Sequence, residues 1–233
     1  MKRCLVVQSV FVCLVFLGSP VTAAPILYDW LFTINGEIVD AFSGDPVTGS
    51  MDASGFDWDQ GLGTITLSYE AAEPGACFFI FFFDHEIDET ADLFWNEYGS
   101  FSGEPPEGLI WEIDEPGYTR GDIYDHVLGG WLENSCDLVQ GSEDDVSMAI
   151  GWQRFLLAGE SVFITLVLSE DTPSSGFTLA QIDADSSRAI YLTSTLETRA
   201  APAPVAEPAT LLLFGTGVIL AETFTRKRRR SNG

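Results

Sequence analysis

Apolar and polar positions alternate in short runs along most of this chain. Ile26 to Ile34 is aromatic and β-branched, and it breaks at Asn35-Gly36, a pair suited to the positive-φ positions of a two-residue hairpin. Glu37 to Phe42 then reads as the returning strand. Gly63 to Tyr69 alternates, with Ile65, Leu67 and Tyr69 on one face. Cys77 to Phe83 is a continuous apolar run, which predicts a central strand buried on both faces. Val146 to Leu157 and Ser161 to Leu168 predict two strands joined around Ala158-Gly159-Glu160. Phe177 to Ile182 and Ala189 to Thr195 predict a last pair across Asp183-Ala184-Asp185-Ser186. Asp84 to Asp145 reads as a long, loop-rich and aromatic insertion. No helical period is sustained over about 12 residues, and Gly and Pro interrupt at short intervals. This spacing predicts an all-β chain folded as a single β-sandwich of jelly-roll or immunoglobulin-like kind, over residues 24–198.

The two ends follow other rules. Lys2 and Arg3 precede an apolar run from Leu5 to Leu17, and Gly18-Ser19-Pro20 and Val21-Thr22-Ala23 follow. The order is that of a secretory signal peptide over residues 1–23, cut after Ala23 and read by the Sec translocon. The run is about 13 residues, short of the roughly 20 that span a bilayer. At the other end, Arg199 to Glu207 is rich in Ala and Pro and reads as an extended linker (199–207). A transmembrane helix is expected over about residues 209–225, with the basic tail 226–230 held on the cytoplasmic side.

Ala206-Glu207-Pro208, an apolar segment containing Gly215 and Gly217, and Arg226 to Arg230 together resemble the PEP-CTERM sorting signal (205–230) of Gram-negative bacteria. Ala206 stands where that pattern has its first proline, and Glu222 is a further departure. The resemblance implies recognition of Glu207 and Pro208 by an exosortase, a membrane-embedded transpeptidase. It also implies an inner-membrane-anchored precursor, a mature form at the outer surface or outside the cell, and an association with exopolysaccharide and biofilm. Phe56-Asp57-Trp58, Phe83 to Asp88 and Trp111-Glu112-Ile113-Asp114 also resemble a recurrent PEP-CTERM ectodomain, which implies fold and compartment alone.

Charge is unevenly placed. Of 11 Lys and Arg, the end segments take seven, leaving Arg120, Arg154, Arg188 and Arg199. Of 35 Asp and Glu they take only Glu207 and Glu222, so the body carries roughly −29 and has no lysine. Such a field repels nucleic acid and attracts cations, so no nucleic-acid partner is expected. Cys77 and Cys136 are the body's cysteines, and export predicts their pairing, with two buried free thiols as the alternative. The loop closed is about 60 residues, worth about 3–4 kcal/mol.

Candidate chemistry lies in carboxylates. Asp57 and Asp59, then Asp84, Glu86 and Asp88, offer the oxygen ligands that calcium takes, and Asp84, Glu86 and Asp88 share a face if extended. Asp122/Asp125 and Glu143/Asp144/Asp145 are further clusters. A solvated acidic surface explains the same residues. His85, between Asp84 and Glu86, suits a metal ligand, a general base or a locally bonded histidine. Trp58, Trp95, Trp111 and Trp131 suit stacking on sugar rings or core packing. No nucleophile elbow or zinc-protease motif occurs. The first expectation is therefore a non-catalytic surface or matrix protein. A calcium-assisted carbohydrate-binding module and a secreted glycoside hydrolase are the alternatives.

Overall fold

A computed structural model describes residues 23–41, 50–88 and 93–201. The signal peptide up to residue 22, the motif Ala206-Glu207-Pro208, the apolar span and the basic tail lie outside these residues. The described residues build two six-stranded sheets. The first runs in the order β2 (Glu37–Asp40), β1 (Ile26–Ile34), β5 (Gly75–Glu86), β9 (Ser147–Leu156), β7 (Leu109–Asp114), β8 (Ser135–Cys136). The second runs β3 (Met51–Asp57), β4 (Leu62–Glu70), β10 (Ser161–Ser169), β12 (Ala189–Arg199), β11 (Thr178–Asp183), β6 (Glu97–Ser102). Neighbours pair antiparallel except β7 with β8. The chain is thus an all-β, two-sheet sandwich.

The core follows from alternation along β5. Phe79, Phe81 and Phe83 point between the sheets and meet Ile65, Leu67, Ile164, Leu166 and Leu192. Ile80 and Phe82 point the other way, where α1 (Ile123–Gly129) covers them with Ile123 and Val127. Burial on both faces is what the apolar run predicts. The helix is held by the Thr33 hydroxyl, which donates to the Val127 carbonyl at 2.8 Å. Among the described residues no helix is long and apolar enough to cross a membrane.

β9 and β10 are joined through Ala158 to Glu160 as the sequence predicts, and the two strands lie in different sheets. Several expectations change. The stretch from Asp84 to Asp145 is not a loop insertion, since it supplies β6, β7, β8 and α1. β3 is an additional edge strand with a register shift between Asp52 and Gly55. β12 continues to Arg199, beyond the expected end at Thr195.

The Cys77–Cys136 disulfide does not form, and both thiols are free. Cys136 stands beside Ile113 on β7, Ile113 beside Met148 on β9, and Met148 beside Phe83 on β5. Three strand spacings and the rise from Phe83 back to Cys77 separate the two by more than about 20 Å. A disulfide needs Cα atoms within about 7 Å.

The sandwich has two distinct ends. Glu86, Ser147, Asp114, Glu97 and Asp183 gather at one. β12 starts beside that end, where Ala189 faces Ile182. It finishes at the other, where Arg199 faces Ser161 and Ala201 lies against Gly159.

Candidate functional site

Strand register assembles an acidic row across the first sheet. Asp29 faces Asp84, Asp84 faces Ser147, and Ser147 faces Asp114, so these side chains share the outer face at one end. Asp84 is fully buried and accepts the Ser147 hydroxyl at 2.9 Å, while its Oδ2 has no partner. Burial, and next the charge of Asp145, push its carboxyl well above the usual range. Burial also raises Asp29 and Asp114.

Beside this row opens a cleft of about 540 Å³. Glu86, Glu115, Asp144 and Asp145 supply its carboxylates, and Tyr28, Phe94, Trp95 and Tyr118 its aromatic walls. These four aromatics are 61%, 40%, 49% and 66% exposed. Phe94 and Trp95 meet edge to face at 4.6 Å. Tyr118 also lines a smaller neighbouring cleft with Asp29, Asp122, Tyr124 and Asp125. Burial, followed by the charges of Asp84 and Asp29, pushes its phenol up to about 12, so it is a hydroxyl donor at neutral pH.

The loop after β7 wraps around one carboxylate. Glu115 accepts the backbone N–H groups of Tyr118 (2.8 Å), Thr119 (3.0 Å), Arg120 (2.8 Å) and Gly121 (2.6 Å). Burial opposes its charge, but these donors together hold its carboxyl below the usual range. Gly121 is required here, because a Cβ would stand 1.9 Å from the Glu115 carbonyl oxygen.

Asp144 and Asp145 are placed by a bridge to the second sheet: Glu97 N donates to Asp144 O at 3.1 Å and Asp144 N to Glu97 O at 3.0 Å. Arg120 pairs with Asp144 at 2.8 Å on the exposed rim. Asp145 is 6% exposed, and its Oδ1 has no hydrogen-bond partner. Burial, then the charges of Glu115 and Asp144, push its carboxyl up to about 7. Behind it, the fully buried Glu97 accepts Ile87 N at 3.0 Å and the Gln181 amide, and burial raises its carboxyl well above normal.

The structure redistributes the residues singled out from sequence. Glu86 joins Asp144 and Asp145 at the cleft and Asp84 lies buried beside it, but Asp57, Asp59 and Asp88 stay apart. Asp57 is spent on its own turn, accepting Asp59 N at 3.0 Å and Gln60 N at 3.2 Å. Asp59 is exposed on that turn. Asp88 lies past the end of β5 with φ 61, ion-paired to Arg188, which also holds Glu170. His85 points to the opposite face from its neighbours, because side chains alternate along β5. It is buried against the Gly61 carbonyl at 3.1 Å, and burial lowers its pKa to about 4, so the ring is neutral. Of the tryptophans, Trp111 is core, Trp58 packs on Trp30 and Phe56, and Trp131 stacks on His126 at 3.8 Å. Trp95 alone of these four lines the cleft.

Among the described residues one trio brings ligand atoms within 4.8 Å of one another: Glu112, Asp122 and His126. His126 Nδ1 lies 2.8 Å from Glu112 Oε1 and its Nε2 lies 3.3 Å from Asp122 Oδ2. Both ring nitrogens lie within reach of carboxylates, and the contact between His126 and Glu112 links α1 to β7. Glu112 and Glu115 flank Asp114 in Glu112-Ile113-Asp114-Glu115, an acidic run outside the candidate sites singled out from sequence. Comparison with protein-family models, curated proteins and solved structures finds no match to this chain.

Proposed function

We propose that this chain is an exported, exosortase-sorted protein of the cell surface or matrix, whose jelly-roll-like sandwich binds a saccharide without turning it over. The observation that carries the binding is the cleft itself, where four exposed aromatics surround buried and half-buried carboxylates. Exposed rings stack on the apolar faces of sugars, and carboxylates accept from sugar hydroxyls. Repeated crossing of the chain between the sheets supports the jelly-roll-like assignment. The three-part tail supports sorting, with Sec export first and an exosortase acting at Glu207-Pro208. An array of neutral, anionic and amino-sugar glycans checks the binding: Trp95→Ala is expected to weaken the signal, and an array silent for the unaltered protein removes this reading. Co-expression with and without an exosortase, followed by intact mass, checks the sorting. An Arg226 to Arg230 cluster retained in both cases removes it.

One observation favours hydrolysis as a second reading. Two carboxyls on the same cleft are driven apart: Asp145 is pushed up to about 7 while Glu115 is held below the usual range. An environment that splits a pair in this way suits a general acid beside an ionised partner. Polysaccharide turnover lost in both Asp145→Asn and Glu115→Gln would establish it, and binding without turnover leaves the first reading in place.

A further inference from the structure

Resting on the saccharide reading above, we infer that the cleft selects a cationic saccharide, an oligomer carrying protonated amino groups, over neutral or anionic glycans. Four observations meet on this chemistry. First, the cleft carboxylates accept hydrogen bonds and, when ionised, cannot donate them. Asp145 Oδ1 is buried on the cleft wall with no donor. A buried acceptor left unmatched is costly, and a ligand N–H is the group that satisfies it. Second, the body holds roughly −29 with no lysine, and the rim's Arg120 is already taken by Asp144. An anionic glycan meets repulsion there and an ammonium meets attraction. Third, Trp95 and Tyr118 present rings beside those carboxylates, and a cation over an aromatic face is attracted by it. Fourth, the carboxylate oxygens of the cleft do not converge. Among the described residues the trio within mutual coordination distance is Glu112, Asp122 and His126, outside this cleft. A bare divalent cation gathers six to eight oxygens at about 2.4 Å. The cleft instead suits donors spread along an extended ligand.

The test is titration calorimetry of the full-length chain in non-ionic detergent with four probes: a glucosamine tetramer, its fully N-acetylated counterpart, spermidine and calcium chloride. The glucosamine tetramer is expected to bind at least about tenfold more tightly than the acetylated one. Asp145→Asn is expected to lose about tenfold for the glucosamine tetramer and little for the acetylated one. Trp95→Ala, at an exposed position, weakens both and keeps the test open should the buried variant misfold. Equal affinity for the two tetramers overturns the inference while leaving the saccharide reading standing. Absence of binding by either tetramer also overturns it, and the glycan array then decides the saccharide reading separately. Spermidine binding as tightly as the glucosamine tetramer shows an amine site without sugar selectivity. Calcium binding that Asp145→Asn removes shows a metal site. Either result overturns the inference.

Discussion

Asp145 concentrates the electrostatic stress of the cleft in one side chain. Its folded pKa of about 7 lies above the ordinary carboxylate value of 3.8. An acid raised on folding binds its proton more tightly in the native state. Its contribution is therefore full below about pH 4, declines as pH rises toward 7, and is flat above that. Asp145→Asn keeps the shape and removes the charge. It is expected to raise the melting temperature at pH 8 by about 2 °C or more, with the difference closing by pH 4, as scanning calorimetry at both pH values would show. Glu115 is the opposite case. Five hydrogen bonds from four backbone N–H groups converge on its oxygens, and an amide offers one acceptor and a mismatched NH₂. Glu115→Gln is expected to cost about 1–3 kcal/mol in denaturant unfolding, with faster amide exchange at Tyr118 to Gly121. An unchanged midpoint would show that the loop holds itself.

At the level of elements, long periodic runs were legible and short or interrupted ones were not. β1, β4, β5, β9, β10, β11 and β12 each carry apolar alternation or a continuous apolar run. β3 breaks its pattern at Ser54-Gly55, β6 reads Glu-Tyr-Gly-Ser-Phe-Ser, and α1 is seven residues, below the length at which a 3.6 period declares itself. The site was legible in pieces. Asp84/Glu86 and Asp144/Asp145 stand out as clusters in the sequence, but only the pairing of Asp84 with Ser147 puts them together. Register is a property of the folded sheet. α1 matters because it covers Ile80 and Phe82. Ile123→Ala is expected to cost about 2–5 kcal/mol by urea denaturation, because it opens a cavity beneath the helix. Loss of a methyl-sized fraction of that amount would mean that the helix rides loosely on the sheet.

For the whole molecule, the buried ionisable groups set opposing slopes. Asp84, Glu97 and Asp145 are all raised and favour mildly acidic conditions. His85, lowered to about 4, contributes fully above pH 6.5 and is lost as pH falls toward 4. Self-repulsion among acidic groups also weakens on acidification. The melting temperature is expected to peak at weakly acidic pH and to decline by pH 8. Added NaCl should recover part of that decline by screening, and a maximum at pH 8 would contradict this balance. With Cys77 and Cys136 apart, dithiothreitol is expected to leave the melting temperature unchanged, and a drop of several degrees would reveal a cross-link.

The direction of β12 has a geometric consequence. The chain leaves the sandwich at Arg199, at the end away from the acidic mouth, and the twelve residues of β5 between the two ends span about 40 Å. The acidic mouth and the point where the chain leaves the sandwich therefore lie at opposite ends, one strand length apart, so whatever reaches the mouth approaches from the side remote from Arg199.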